Sequence, residues 1–361
     1  SSLRHSSSIA QSSAVARRKR VDLSLVKPFI IAEVSGNHNG SLERTLDIVR
    51  AMADTGVDAV KFQTYTADTI TLDVDVPPFR VSKDHPLWGD RKLHDLYKEA
   101  SFPWEWHKEA FDAVRALGME AFSTPFDETA VEFLEGLNVP RYKIASLEIV
   151  DLPLIRQVSQ TGKPVIISTG TATLGEIEDA VVAAQSGGAT DITLLVCTSS
   201  YPAKPADAHL ARIPVLKDLF GVNVGLSDHT VGLAVAVAAV ALGATMIEKH
   251  VTLSRADGGV DAEFSAEPAE MKALVDACHD AHLAIGSTSA WRTDAEAEST
   301  RLRPSLYVTA AAKAGDIITH ENVRSVRPGG GLAPKHLDAV IGQRFTVDVT
   351  PGTPVLWGIV G

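Results

Sequence analysis

Between Phe29 and Ile285 the chain repeats one pattern eight times: a short, β-branched apolar run, then a longer amphipathic stretch. The runs are Phe29–Val34, Val57–Gln63, Glu120–Thr124, Tyr142–Ser146, Pro164–Ser168, Ile192–Cys197, Val222–Leu226 and Ala244–Glu248. The stretches are Leu42–Asp54, Pro103–Ala116, Glu128–Leu137, Leu152–Gln160, Leu174–Gln185, Ala206–Leu219, Leu233–Leu242 and Pro268–Ile285. Runs apolar on both faces are the habit of parallel strands covered by helices. Gly56, Gly118, Gly162, Gly221 and Gly243 each stand between a helical stretch and the next run, where a helix C-terminus favours glycine. Eight alternations in about 260 residues predict an α/β fold, the (β/α)8 TIM barrel. A doubly wound open sheet is the alternative, but no glycine-rich dinucleotide loop follows the first run.

The remainder divides around that barrel, which is expected over residues 25–286. Residues 1–24 are serine-rich, end near the basic run Arg17 to Arg20, and lack the apolar core of a signal peptide. They are expected to be a disordered extension. Residues 287–300 are polar and read as a linker. From 301 to 361 short strand candidates, Leu306–Thr309, Asp316–Thr319, Val323–Val326, Phe345–Val349 and Pro354–Ile359, alternate with glycines, predicting a small all-β domain. Some 60 residues make a marginal core, so this domain is expected to pack on something else.

Composition narrows the function. The net charge of -11 argues against a nucleic-acid surface. No apolar run approaches the roughly 20 residues that span a bilayer, which argues against membrane insertion. Two cysteines, Cys197 and Cys278, exclude a disulfide framework and suit a reducing cytoplasm. One insertion, Thr64 to Phe102, breaks the strand–helix rhythm. It follows a strand, so it should sit on the active face as part of a lid or substrate wall.

A barrel enzyme works at the C-terminal ends of its strands. Those ends supply, in order, Glu33 with Asn37 and His38; Lys61 and Gln63; Thr124; Lys143, Ser146 and Glu148; Ser168 and Thr169; Cys197, Ser199 and Tyr201; Ser227, Asp228 and His229; Glu248 and His250. Packing does not explain polar groups at every strand end. His229 and His250 follow adjacent parallel strands and should meet, which suits a divalent metal with open positions. Lys61 and Lys143, with Thr124, Ser146 and Ser168, suit an anion carrying phosphate and carboxylate. Glu33, Glu148, Asp228 and Glu248, beside the imidazoles, suit metal binding and proton transfer. The pocket should thus have a cationic end and an acidic end. This much points to metal-assisted chemistry on a small phosphorylated molecule.

Several motifs resemble the sialic acid synthase family across nearly the whole chain from about residue 28. They are Ile-Ala-Glu-Val-Ser-Gly-Asn-His-Asn-Gly (31–40), Val-Lys-Phe-Gln-Thr-Tyr (60–65), Ser-Thr-Pro-Phe (123–126), Tyr-Lys-Ile-Ala-Ser-Leu-Glu (142–148), Ile-Ser-Thr-Gly (167–170), Gly-Leu-Ser-Asp-His-Thr (225–230) and Ile-Glu-Lys-His (247–250). Arg327-Pro328-Gly329 and Gly331-Leu332 resemble the antifreeze-like (SAF) domain that closes these enzymes. The resemblance implies a (β/α)8 barrel, a domain-swapped homodimer, and condensation of phosphoenolpyruvate with an amino-sugar aldehyde. It implies His229 and His250 as ligands of Mn2+ or Mg2+. It implies Lys61, Thr124, Lys143, Ser146, Ser168 and Ser227 as phosphoenolpyruvate contacts. Glu33, Tyr201 and Asp261 fall near the acceptor sugar, with Gln63, Glu148 and Ser199 as further substrate-binding candidates and Glu33 or Glu248 as a plausible base. Arg327 would reach the partner subunit's site.

Ser199 stands where neuraminic acid synthases carry asparagine, which weighs against neuraminic acid itself. Leu87-Trp88-Gly89, Leu96-Tyr97, Trp104-Glu105-Trp106 and Ser200-Tyr201-Pro202-Ala203-Lys204 lean towards the pseudaminic acid branch. N-acetylneuraminate synthesis is the nearest alternative. An octulosonate or heptulosonate phosphate synthase, and a sugar- or ice-binding protein with an inert barrel, are more distant ones.

Overall fold

In the computed structural model the described residues are 27–85, 88–287 and 291–361. The expected extension over residues 1–24 lies outside them, as do Leu87, Thr288 and Ser289. The chain divides into two compact units, the first reaching Gly286 and the second beginning at Ser287.

The first unit is a closed barrel of eight parallel strands in sequence order. The strands are β1 Phe29–Glu33, β2 Ala59–Thr64, β3 Glu120–Pro125, β4 Tyr142–Ile144, β5 Val165–Ser168, β6 Ile192–Cys197, β7 Asn223–Asp228 and β8 Met246–His250. β8 pairs back on β1, with Glu33 opposite His250. The helices are α1 Leu42–Ala53, α2 Ala67–Ile70, α3 Leu93–Ala100, α4 His107–Ala116, α5 Glu128–Gly136, α6 Leu152–Gln160, α7 Leu174–Ser186, α8 Arg212–Phe220, α9 Ala234–Ala241 and α10 Pro268–Ile285. α2 and α3 belong to the insertion; the other eight form the outer ring.

Local chemistry explains the boundaries. Ser41, Asp127 and Thr173 accept backbone N–H groups at the starts of α1, α5 and α7, and Glu176 completes a capping box with Thr173. The five glycines expected at helix ends all have positive φ. α8 begins at Arg212, later than the sequence pattern suggested. Pro205–Asp207 forms a separate 3-10 turn before it. Strands β7 and β8 run two residues further than expected, which takes Asp228 and His250 into the sheet. The core is continuous from the strands' outer faces to the helices, with Ile30, Phe62, Phe111, Leu134, Ile166, Leu194 and Met271 almost fully enclosed.

The second unit has its own small core of Leu306, Val308, Ile318, Val323, Val340, Phe345, Val349 and Val355. β9 Ser305–Val308 pairs antiparallel with β10 Val323–Val326. The other strand candidates shrink to isolated bridges at Ile317, Phe345, Val349 and Pro354, and Trp357–Ile359 is a 3-10 turn. Two short helices, α11 Ala297–Arg301 and α12 Leu337–Val340, complete it. α11 lies largely within the stretch expected as linker.

Candidate active site

Strand polarity puts the C-terminal ends of β1 to β8 around one mouth, and a cavity of about 560 Å³ opens there. Side chains alternate along a strand, so only every second residue reaches it. Lys61 and Gln63 line the cavity, whereas Phe62 between them packs outwards on Phe102 and Phe111. Lys143 faces in; Tyr142 faces out and donates to Glu135 at 2.6 Å. Ser227 and His229 face in, as do Glu248 and His250.

The floor is charged and internally paired. Lys61 pairs with Glu33 and lies 3.7 Å from Glu248, while Lys143 donates to Glu248 at 3.1 Å. Ser227 Oγ donates to the same Glu248 oxygen at 2.9 Å, Gln63 donates to Glu33 at 2.9 Å, and Lys61 donates to Thr124 at 3.1 Å. Two ammoniums and two carboxylates share one buried cluster. Separate cationic and acidic ends, as expected from sequence, do not exist. Desolvation forces the pairing, since an unpaired buried charge is costly. Burial opposes the charge on Glu248, but Lys143 and Lys61 outweigh it and hold the carboxyl below its usual range. Burial likewise opposes the charge on Lys143, which Glu248 and Glu33 hold above the usual ammonium range.

The two imidazoles meet edge to face, with centroids 5.2 Å apart. His229 Nδ1 lies 2.9 Å from the Thr198 carbonyl, which only accepts, so Nδ1 carries a proton and Nε2 is the nitrogen that a metal would take. Burial opposes charge on this ring, but the Cys197 sulfur outweighs it and holds the imidazole above its usual range. Burial, reinforced by His229, pushes His250 down to about 3, so it is neutral near pH 7. His250 Nδ1 is buried without a hydrogen-bond partner. Two imidazoles, one oriented by a backbone carbonyl and one neutral with an orphaned nitrogen, fit a divalent cation. Among the described residues no third His, Cys, Asp or Glu completes a cluster, so its other positions would fall to substrate or water.

Around this floor stand neutral groups. The Ser168 and Ser199 hydroxyls are buried and unpartnered. A Cβ at Gly170 would come within 2.6 Å of Ser146 Oγ and would also strike Ser199 Oγ, so only glycine lets these hydroxyls converge. Ser146 and Ser168 line the cavity; Ser199 does not. Burial lifts Glu148 to about 7, and its Oε2 has no partner. Tyr201 lies 4.5 Å from His229, ring centroid to ring centroid and tilted by 45°, and burial pushes its phenol far above the usual range. Asp261 accepts from Ser35 Oγ at 2.5 Å and Gly36 N at 3.2 Å.

Four strand-end residues serve elsewhere, and one of them, Thr169, donates its hydroxyl to the Leu195 carbonyl at 3.1 Å. Asp228, expected at the metal, points behind the barrel wall and pairs with buried Lys249 at 2.7 Å. Asn37 donates to the Val251 carbonyl and Ser265, and His38 meets the Ala100 carbonyl. Both are buried struts. Arg327 belongs to the second unit, where Ser305, Tyr307 and the Arg301 carbonyl bind the backbone of the loop after it.

Sequence reasoning placed the insertion in the wall but missed three residues that the strands themselves add to it. Ser35, Tyr65 and Phe126 line the cavity, each two residues beyond Glu33, Gln63 and Thr124. Continuing the strand alternation past the strand ends would have found them. The insertion supplies Ile70, Val81, His85, Trp88, Leu93, Leu96 and Tyr97, as a substrate wall should.

The NeuB family model matches residues 48–290 and the SAF domain model residues 303–359. The chain belongs to the NeuB family. As a NeuB-family chain it is 40% identical over 332 residues to the pseudaminic acid synthase of Helicobacter pylori, covering 92% of this chain and 97% of that one. It is 36% identical over 334 residues to the N,N'-diacetyllegionaminic acid synthase of Legionella pneumophila, covering 91% and 93%. A crystal structure of the N-acetylneuraminic acid synthetase of Leptospira borgpetersenii superposes with a TM-score of 0.67 at 33% identity, covering 76% of this chain and 90% of that one. The expected class, a phosphoenolpyruvate-dependent nonulosonic acid synthase, is borne out at the level of this family.

Proposed function

We propose that this NeuB-family enzyme is a pseudaminic acid synthase. It condenses phosphoenolpyruvate with 2,4-diacetamido-2,4,6-trideoxy-L-altrose and water, giving pseudaminate and phosphate. The observation that carries the reading is one cavity holding Lys61 and Lys143 beside the paired imidazoles of His229 and His250. The 40% identity to proteins named pseudaminic acid synthase supports that branch.

Lys61 and Lys143 exchange their carboxylate partners for the phosphate and carboxylate of phosphoenolpyruvate, with the Ser146, Ser168 and Ser227 hydroxyls completing the cradle. His229 and His250 would hold Mn2+ or Mg2+, which when bound polarises the aldehyde oxygen of the open-chain sugar. C3 of phosphoenolpyruvate then attacks the aldehyde carbon, and water adds at C2. Glu33 or Glu248, released from its lysine, takes the proton of that water. Phosphate leaves by cleavage of the C2–O bond. Tyr201 and Asp261 flank the acceptor. Arg327 enters from the partner subunit of a domain-swapped homodimer. The two unpaired, buried cysteines support a cytoplasmic setting. Among the described residues no helix is long and apolar enough to cross a membrane.

The test is phosphate release on adding phosphoenolpyruvate, metal and a panel of amino sugars. Turnover with the trideoxy sugar and not with N-acetylmannosamine is the expected result. The reverse would make the enzyme an N-acetylneuraminate synthase.

A further inference from the structure

The insertion builds one wall of the cavity from a compact hairpin. Arg80 and Lys92 form an antiparallel bridge, Val81 N donates to the Arg91 carbonyl at 2.8 Å, and Asp90 N returns to the Val81 carbonyl at 3.3 Å. A Cβ at Gly89 would come within 2.6 Å of the Lys83 carbonyl and 2.9 Å of that of His85, so only glycine lets the turn close. Arg80–Asp75 and Lys92–Asp73 pairs tie the hairpin to the segment before it.

At its inner end is Trp88. The ring stacks on His85 at 4.7 Å and lies 5.9 Å from Tyr201, which is itself 4.5 Å from His229. His229, Tyr201 and Trp88 are therefore joined ring to ring, with Tyr201 between the imidazole and the indole. The one polar group of the Trp88 side chain, its indole N–H, donates to the Val260 carbonyl at 3.1 Å. What Trp88 offers the cavity is hydrocarbon alone. Val81, from the same hairpin, and Leu93 and Leu96 of α3 carry the apolar surface further.

We infer that Trp88 reads the end of the acceptor sugar remote from its aldehyde and selects a methyl group there over a hydroxymethyl. This rests on the proposed reaction, which puts the aldehyde at the imidazole pair. A terminal methyl packs on the indole, whereas a terminal hydroxyl set against it gains no hydrogen bond from the indole, whose N–H is already given to Val260, and loses its water. A hydrophobic wall rejects an added hydroxyl by about 100-fold at most.

The experiment measures kcat/KM for phosphate release at saturating phosphoenolpyruvate with two acceptors. One is 2,4-diacetamido-2,4,6-trideoxy-L-altrose, the other the same sugar with a hydroxyl at C6. Wild type should favour the first by about 10- to 100-fold. Trp88→Phe, which keeps an apolar face, should retain most of that ratio. Trp88→Gln should cut it about tenfold while the KM for phosphoenolpyruvate stays put. An unchanged ratio in Trp88→Gln, with both acceptors falling together, would mean that the indole only props the hairpin, and would overturn the inference. Should Trp88→Gln fail to fold, Val81→Thr offers a hydroxyl from the same wall at nearly constant volume and should also narrow the ratio; an unaltered ratio there overturns it equally. Wild type that releases no phosphate with either sugar would remove the proposed function itself, an outcome distinct from active wild type without preference, which removes only the role of Trp88.

Discussion

Ser227 and Asp228 are neighbours in sequence yet stand on opposite faces of the barrel wall. Ser227 donates to Glu248 inside the cavity, and Asp228 pairs with Lys249 behind it at 2.7 Å. Asp228 also accepts from the Thr230 backbone at 3.0 Å and its hydroxyl at 2.7 Å. The pair is a strut for the β7–β8 edge that supplies both imidazoles.

Removing one partner should therefore cost stability. Lys249→Met would leave the Asp228 carboxylate buried and unpaired, a loss of about 3–5 kcal/mol. Urea unfolding should show a lower midpoint, partly restored in Lys249→Met combined with Asp228→Asn. An equal midpoint in the single variant and the wild type would show that the pair carries no load.

That Asp228 was legible as a strand-end residue, but not as one facing outwards, shows where sequence reading stops. The eight strands were readable because doubly buried runs and helix-ending glycines recur in phase. The catalytic mouth followed from strand polarity. Which of two adjacent residues faces in depends on parity. Parity was available by counting back two from His229, but β7 had to reach Asp228 for the count to hold. The pairing of Lys61 with Glu33 and of Lys143 with Glu248 joins β2 to β1 and β4 to β8. Nothing local in the chain encodes those contacts. The insertion's role was readable from its position, but its hairpin lacks any hydrophobic period and its geometry was not.

Glu148 should make the enzyme less stable as pH rises. Burial lifts its carboxyl from 4.5 to about 7. The folded state thus holds the proton more tightly than the unfolded one. The stabilisation is full below about pH 4.5 and is lost as pH climbs through 7. At about 1.4 kcal/mol per unit, and allowing for residual exposure, the loss is on the order of 2–3 kcal/mol by pH 8. Glu148→Gln does not titrate, so its melting temperature should gain on the wild type between pH 4.5 and 8. Parallel curves would place the carboxyl at an ordinary pKa.

His107 works in the opposite direction. It bridges Thr64 at 2.8 Å and the Pro103 carbonyl at 3.2 Å in a buried network, and burial pushes it down to about 4. The unfolded state therefore takes up the proton first. Stability is intact above about pH 6.5 and drains away as pH falls towards 4, by on the order of 3 kcal/mol. His250, pushed down to about 3, adds to the same acid limb. His107→Gln should flatten the fall in unfolding midpoint across that window; an unchanged slope would assign the limb to other groups.

The imidazole pair predicts a shared metal phenotype. His229→Ala and His250→Ala should each lose Mn2+ binding by titration calorimetry and lose turnover, with circular dichroism unaltered. Either variant binding Mn2+ as tightly as the wild type would exclude that residue as a ligand.

Arg327 tests the proposed domain swap. In a swapped homodimer each active site combines the imidazoles of one subunit with the arginine of the other. Arg327→Ala should mainly raise the KM for the sugar, and His229→Ala should be inactive. Mixed and allowed to exchange subunits, the two variants form hybrids in which one site has lost both groups and the other has neither change. Activity above that of the Arg327→Ala protein alone is the expected outcome. Subunit exchange, followed by mass spectrometry of differently tagged chains, with no gain in activity would mean that Arg327 serves its own barrel or none.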